Sequence, residues 1–419
     1  MARYLLTPFG SGGDVNPFIG LGKLLRSRGH EVEIITAPMF REVAEEAGLS
    51  FTGVGDAEEF EAIMHHPHLW KPLRGTALVF DYGGRYILPF YQAIAQNVVR
   101  GQTVIVAPFQ MFAARLAREK LGVPLVNVHL QPACFLSVYD TPVFFAGAAW
   151  ATRLPPWFKR LLFALPNPVA AKLMPSLRHA CRELGVPPPK RPIPDWMHSP
   201  DANIALFPDW FAAPQPDWPP HTQVAGFPLE DLKGHFHLSP ELQSWLAHGT
   251  KPVLLSPGTG NTQAKKFFQE GLTACKLLGL RALVGTRFPD QLPSPLPDHA
   301  RHFEYLPFSE VLPYVSVLVH HGGIGTMSQG FAAGVPQLVM PMAHDQPDNA
   351  ARMKKLDAGE FLTPRQFTSE NIAAALKRLL SEADVTDACE RLARLCKDQA
   401  TADRCVEILE GVIPVQTRA

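Results

Sequence analysis

Apolar and polar positions along this chain fall into two alternating textures. Short apolar-rich runs at residues 3–7, 31–36, 103–107 and 124–129 read as strands, the first of them buried. Longer stretches with apolar residues three and four apart read as helices. One runs from about Pro17 to Arg28 and is stopped by Gly29, one opens at Pro38 and closes at Gly48, and one spans about 111–121. The pattern restarts after residue 220 with strands at 252–256, 315–320 and 335–341. Its helices lead up to Cys275, cover 325–333 and begin again near Gln346. Repeated strand–helix–strand units predict parallel sheets covered by helices, and the restart predicts two of them.

The length of 419 residues fits two domains of roughly 200 residues each. Between the halves, Phe207-Pro208-Asp209-Trp210 is followed by Pro214, Pro216, Pro219 and Pro220, which reads as a semi-rigid linker over 208–222. The expected division is an N-terminal domain at 1–207 and a C-terminal domain at 223–397, with a final helical segment at 398–419. The fold class is therefore α/β, with two Rossmann-like doubly wound domains facing across a cleft. Ligands in such sheets bind at the carboxyl ends of the strands.

Charge narrows the partners. Lys plus Arg equals Asp plus Glu at 39 each, so no global field attracts nucleic acid. Met1-Ala2-Arg3 runs straight into strand-like sequence, and no apolar run reaches the roughly 18 residues that span a bilayer. The expectation is a cytoplasmic protein without a signal peptide, its six scattered cysteines reduced. Residues 141–182 stand out, with Arg153, Lys159, Arg160, Lys172, Arg178 and Arg182 but no Asp or Glu, and with Trp150, Trp157, Phe158 and Phe163 interleaved. One reading is peripheral contact with the inner face of a membrane, or a lipid-acceptor surface. The other, which is preferred, is a helical insertion with a solvated basic face. His65, His66 and His68, beside Pro67 and Trp70, read as an exposed loop rather than a metal site.

The chemistry concentrates in His320-His321-Gly322-Gly323-Ile324-Gly325-Thr326, where a strand ends and a helix begins. Glycines let a phosphate approach the backbone, and a helix start supplies free N–H groups and partial positive charge. Thr326 and an imidazole add donors. Adjacent residues on a strand end point to opposite faces. One histidine therefore packs while the other reaches the ligand, and a metal pair is not expected. The run is not the nicotinamide fingerprint, because no Gly-x-Gly-x-x-Gly opens it. A weaker glycine turn, Ser256-Pro257-Gly258-Thr259-Gly260, follows an earlier strand.

These residues resemble a glycosyltransferase family of the GT-B fold that includes plant UDP-glucosyltransferases and bacterial antibiotic and sterol glycosyltransferases. The likeness covers nearly the whole chain. It is strongest through Tyr305-Leu306-Pro307, the histidine–glycine run, Gly334-Val335-Pro336 and Pro341-Met342-Ala343-His344-Asp345-Gln346. The resemblance implies a donor-binding C-terminal domain, an acceptor-binding N-terminal domain and a last helix that crosses back to the N-terminal domain. It places His321 with Gly323, Gly325 and Thr326 at the diphosphate, Tyr305 on the pyrimidine, Gln329 near the ribose, and Asp345 and Gln346 on the donor sugar. Gly258 and Thr259 match a second position near the phosphates. Within Gly10-Ser11-Gly12-Gly13-Asp14, the resemblance puts Gly12 and Gly13 beside the donor and Asp14 at the position of the catalytic base.

Departures from the plant pattern are plain. Ala107-Pro108-Phe109-Gln110 lacks the aspartate that orients the plant histidine base, which a carboxylate base does not need. Gln329 replaces a ribose-binding glutamate and Phe308 a glutamine, so UDP and dTDP both stay open. Trp196-Met197-His198-Ser199-Pro200 and Asp217-Trp218-Pro219 look like the bacterial rhamnosyltransferases that build rhamnolipids, which implies a dTDP-sugar and an amphiphilic hydroxylated acceptor.

The expected reaction is an inverting, metal-independent transfer of a hexose from a UDP- or dTDP-sugar to a hydroxyl of a hydrophobic small molecule or lipid. The nucleotide sugar is a co-substrate, and no cofactor is expected. Phe80, Phe109, Phe112, Phe135 and Trp150 are the candidate acceptor lining. Blander readings stand beside these: Asp14 as the N-cap of a helix from Asn16 or Pro17, Asp345 as the N-cap of the helix from Gln346, and Tyr305 as packing. A nucleotide-sugar epimerase and a non-catalytic partner subunit are the alternative functions. The sequence does not reveal the oligomeric state.

Overall fold

The computed structural model describes residues 1–145, 147–165, 168–229, 238–397 and 400–413. Two compact units emerge. The first holds Met1–Pro142, Trp150–Pro228 and Ala400–Ala419, and the second holds Val143–Ala149 and Leu229–Gln399. Each is built on one parallel sheet, so the α/β class with two Rossmann-like domains is what the chain adopts.

The first sheet has strands β1 (Arg3–Leu6), β2 (Glu31–Thr36), β3 (Ser50–Gly53), β4 (Thr103–Ala107), β5 (Leu125–His129), β6 (Ala202–Ala205) and β7 (Thr222–Val224). Their order is β3-β2-β1-β4-β5-β6-β7, and every pairing is parallel. In register, Leu6 lies between Ile34 and Val106. Strands β4 and β5 are buried at every position, as continuous apolar runs in a doubly covered sheet should be. The order reverses direction between β1 and β4, so that pair is the topological switch point. Where the sequence reading begins the second domain at residue 223, Thr222–Val224 instead pairs with β6 as the edge strand, and the first unit runs on to Pro228.

The second sheet has β8 (Val253–Ser256), β9 (Ala282–Gly285), β10 (Ala300–Phe303), β11 (Val317–His320), β12 (Gln337–Val339) and β13 (Gly359–Phe361). Its order, β10-β9-β8-β11-β12-β13, is again all parallel, with the switch between β8 and β11. Leu254, Leu283 and Leu318 meet Leu242, Leu246, Val311 and Leu312 in one buried cluster.

Two differences from the sequence reading have physical causes. The first helix spans Gly12–Ser27 and not a stretch beginning near Pro17. Ser11 takes the N-cap position, and Pro17 sits inside the helix, where its ring leaves one carbonyl of the first turn without a helical partner. Between β3 and β4 the chain adds helices Ala57–Met64, Arg74–Arg85 and Ile87–Asn97; Gly75, Gly83 and Gly84 in the second and Pro89 in the third interrupt the helical pattern. The C-terminal segment forms helix Thr401–Glu410 in the first unit, with Arg28 paired to Asp403 at 2.7 Å and His30 to Glu410 at 3.0 Å. The ends of the expected 398–419 segment, 398–399 and 414–419, lie outside the described residues, as do 146 and 166–167 within 141–182.

Candidate active site

In the first unit β1 leads into the turn Phe9-Gly10-Ser11, and the helix begins at Gly12. Asp14 is the third residue of this helix, not its cap. Its Oδ2 accepts hydrogen bonds from the backbone N–H of Ser11 at 2.8 Å and from the Ser11 hydroxyl at 3.0 Å. The carboxylate thus folds back over its own turn and lies where Gly10 leaves room. A Cβ on Gly10 would come within 2.4 Å of Asp14 Oδ2, and the φ of +132° there is one that L side chains rarely adopt. Burial pushes the Asp14 carboxyl above its ordinary range, and the two Ser11 bonds act against that shift. Gly12 and Gly13 form the helix start beside Asp14, with Gly13 exposed.

Strand β4 is the neighbour of β1 and leads into Pro108-Phe109-Gln110 at the same end of the sheet. A narrow cavity nearby is lined by Phe9, Tyr86, Phe90, Gln110 and Phe112, among others. Phe80 and Phe112 share one cluster, their ring centroids 6.1 Å apart. Phe109 and Phe135 both flank His129, at 6.0 Å and 4.6 Å. Phe112 and Phe135 are buried in the core. Trp150 is 65% exposed. His129 and His198 sit 5.1 Å apart in this aromatic region. Burial lowers the His129 pKa to about 4, and burial with the neighbouring His129 holds His198 well below its ordinary value.

In the second unit the histidine pair ends β11, and the two rings have separate fates. The His320 ring is fully buried, its Nδ1 accepting from Gly322 N–H at 3.2 Å and its Nε2 lying 2.9 Å from Gln337 Oε1. With Nδ1 accepting, Nε2 carries the proton and donates to Gln337. Burial, with His321 alongside, lowers the His320 pKa to about 3. His321 is turned about 85° from it and lies between two glycines. A Cβ on Gly258 would come within 2.7 Å of His321 Cε1, and one on Gly323 within 2.5 Å of its Nε2. These glycines, which the sequence suggests as room for a phosphate, are first of all room for an imidazole. Gly258 also has a φ of +96°. Burial lowers the His321 pKa to about 4, so the ring is neutral at ordinary pH.

Helix Ile324–Ala333 starts directly after this turn, with Gly323 as N-cap, Gly325 exposed and Thr326 in its first turn. Gln329 is buried inside the same helix. Asp345 occupies the N-cap position of helix Gln346–Lys355 but its side chain makes no capping bond, so the capping role is corrected. Its Oδ2 instead accepts from Asn349 Nδ2 at 2.6 Å, and the same Nδ2 reaches Gly322 O at 3.0 Å. Gln346 Oε1 accepts from Met342 N–H at 2.8 Å. The structure therefore brings Gly258, His321, Gly323, Asp345 and Gln346 together around Gly322. Thr259, exposed, follows Gly258, and Tyr305, half-buried, follows edge strand β10.

Asn349, Gln337, Gly10 and Ser11 hold site residues in place and were not singled out from the sequence. Asn349 stands four positions after Asp345 on one helix face, a spacing that could have pointed to it. Nearby, Asp348 and Arg352 form a buried pair at 2.8 Å, and the other Asp348 oxygen accepts from Val143 N–H at 3.0 Å. Among the described residues no group of three or more His, Cys, Asp or Glu is placed to hold a metal ion. His65 caps the end of helix Ala57–Met64, and its Nδ1 lies 2.9 Å from Glu61 O.

Comparison with known proteins gives the same frame. Residues 4–139 match the model of the glycosyltransferase family 28 N-terminal domain, and 288–413 match the erythromycin biosynthesis protein CIII-like C-terminal domain. The chain is 27% identical to O-mycaminosyltylonolide 6-deoxyallosyltransferase of Streptomyces fradiae, over 97% of both chains. It is 24% identical to 4'-demethylrebeccamycin synthase of Lentzea aerocolonigenes, over 98% of this chain and 100% of that one. In fold it is similar to the kitacinnamycin glycotransferase, with a TM-score of 0.72, 19% identity and 99% of both chains covered. The calicheamicin glycosyltransferase CalG4 gives a TM-score of 0.70 at 21% identity, with 100% of this chain and 99% of that one covered. The chain is a glycosyltransferase of the GT-B fold, related to antibiotic glycosyltransferases.

Proposed function

We propose that this enzyme transfers a hexose, with inversion and without a metal, from a dTDP- or UDP-sugar to a hydroxyl of an apolar small molecule or lipid. One observation carries the reading. Each unit presents one chemically distinctive side chain at the switch point of its own sheet, Asp14 after β1 and His321 after β11. Ligands of open α/β sheets bind at these points. Asp14 takes the proton of the attacking hydroxyl as the new bond to the anomeric carbon forms. The bond to the diphosphate breaks on the opposite face, and charge on the leaving oxygen meets the His321 N–H and the start of helix Ile324–Ala333.

The sheet order also suits a nucleotide. Tyr305 follows β10, three strands from β11. At about 4.8 Å per strand the two sites are roughly 14 Å apart, a span that an extended nucleotide and the side chains holding it would cover. Relatives in fold include a spinosyn rhamnosyltransferase complexed with thymidine diphosphate and a glycosyltransferase in complex with dTDP, which favours a dTDP-sugar. The rhamnolipid-like Trp196 to Trp218 segments favour an amphiphilic acceptor.

The test is turnover of dTDP- and UDP-sugars against a panel of alcohols, with product mass and anomeric configuration as readouts. The expected result is an inverted glycoside, formed equally with and without EDTA and about 10²–10⁴-fold more slowly by Asp14→Asn. Retention of configuration, or full activity in Asp14→Asn, would overturn the assignment.

A further inference from the structure

Helix Pro156–Ala164 is built inside out. Its lysine, Lys159, is buried and donates from Nζ to Val138 O at 3.1 Å and to Thr152 O at 2.7 Å. Burial lowers the Lys159 pKa while Asp140 acts to raise it. The apolar residues face outward. Trp157 is 61% exposed, Leu161 59% and Leu165 61%, with Phe158 and Leu162 beside them. Trp157, Leu161 and Leu165 are spaced by four and form one row, and Phe158 and Leu162 form the adjacent row. Lys159 thus departs from the solvated basic face that the sequence suggests for 141–182, whereas Arg153, Arg160, Lys172, Arg178 and Arg182 are exposed. The helix's own lysine serves as an internal anchor, and its outer face is a contiguous apolar strip of the kind that marks an interaction surface.

The rim of the strip is cationic. Arg160 is exposed on the same helix, where it donates to Tyr139 Oη at 2.8 Å and lies over the ring of that exposed tyrosine. Arg153 is exposed in the turn just before the helix. Arg191 donates to Phe163 O and pairs with Asp195. No Asp or Glu occurs between Asp140 and Glu183. The whole chain has a net charge of zero, so this positive sign is local.

We propose that helix Pro156–Ala164 and its arginine rim dock the enzyme on an anionic lipid surface, with Trp157, Leu161 and Leu165 inserted among the acyl chains. Charge chooses lipid over a second copy. A two-fold contact would set this patch against itself, cation facing cation, whereas anionic headgroups pair with it. Trp and Tyr prefer the membrane–water boundary, and a helix with an apolar face and arginines alongside lies in that plane. The inference does not depend on which sugar or acceptor the active site takes.

The test is sedimentation of the full chain with vesicles of phosphatidylcholine alone and of phosphatidylcholine with phosphatidylglycerol. The expected result is binding to the anionic vesicles only, weakened by salt. Trp157→Ser with Leu161→Ser should lower it by on the order of tenfold, and Arg153→Gln with Arg160→Gln by a similar factor. If the serine pair fails to fold by circular dichroism, the glutamine pair alone decides. Equal binding to both vesicles, binding to neither, or wild-type binding by the folded variants would overturn the proposal. So would a dimer in solution that the serine pair dissolves, since a second copy would then cover the strip.

Discussion

At the scale of single residues, Asp14 and His321 are held by room made for them rather than by many bonds. A base accepts a proton best when its own pKa is near the working pH, and burial moves Asp14 in that direction. A raised pKa also has a cost in acid. As the proposed base, Asp14 is protonated, and unable to act, at a pH where an ordinary carboxylate is still ionised. The rate at limiting substrate should therefore fall on acidification with a midpoint above the ordinary carboxylate value, and this limb should vanish from the residual activity of Asp14→Asn. That variant should lose about 10²–10⁴ in kcat, the usual contribution of a general base. Gly323→Ala should displace the His321 ring, since the new methyl would come within 2.5 Å of Nε2. Weaker nucleotide affinity at unchanged global stability, read by calorimetry and thermal melting, is the expected outcome. Unchanged affinity would mean that His321 does not need its present position.

At the scale of elements, helix Thr401–Glu410 is the part whose removal should matter most for its size. It buries Cys405, Val406, Ile408 and Leu409 in the first unit and pairs with Arg28 and His30. Burying each large aliphatic side chain contributes about 1.5–3 kcal/mol, as an upper estimate. The three aliphatic side chains alone thus represent at most about 5–9 kcal/mol against a typical domain stability of about 5–15 kcal/mol. A chain ending at residue 399 should melt far lower, with the loss seen first in probes of the first sheet. The exposed Arg28–Asp403 pair contributes little to that figure.

Across the whole molecule, buried histidines set the acid limit. His129 and His198 in the first unit and His320 and His321 in the second all have pKa values lowered by burial. An unfolded chain protonates such residues near pH 6.5, while the folded units resist until about pH 4 for His129 and His321. Between these values the unfolded state binds more protons, so stability falls as pH falls through that window and levels off below the folded values. Denaturant midpoints measured from pH 7 to pH 4 should decline in both units. His198→Phe, which keeps an aromatic in that packed cluster, should flatten the decline for the first unit. A saturating nucleoside diphosphate should restore part of the stability of the second unit, by the linkage of binding to folding.

The sequence by itself determined the α/β class, the two parallel sheets and the place of the histidine–glycine run. Unbroken apolar strands such as β4 and β11 have no other stable home than a sheet covered on both faces. It also carried the glycosyltransferase resemblance, because the residues around His321 and Asp345 are contiguous blocks. It did not determine the helix start at Gly12, where a proline five positions on looked like the better beginning. Nor did it show that β7 completes the first sheet or that Gly258 and Gly323 enclose an imidazole. Those facts depend on partners that strand pairing brings together from distant parts of the chain. Only the tertiary structure could turn Lys159 inward and leave Trp157 and Leu161 outside. Helical period fixes which residues share a face, but packing decides which face is buried.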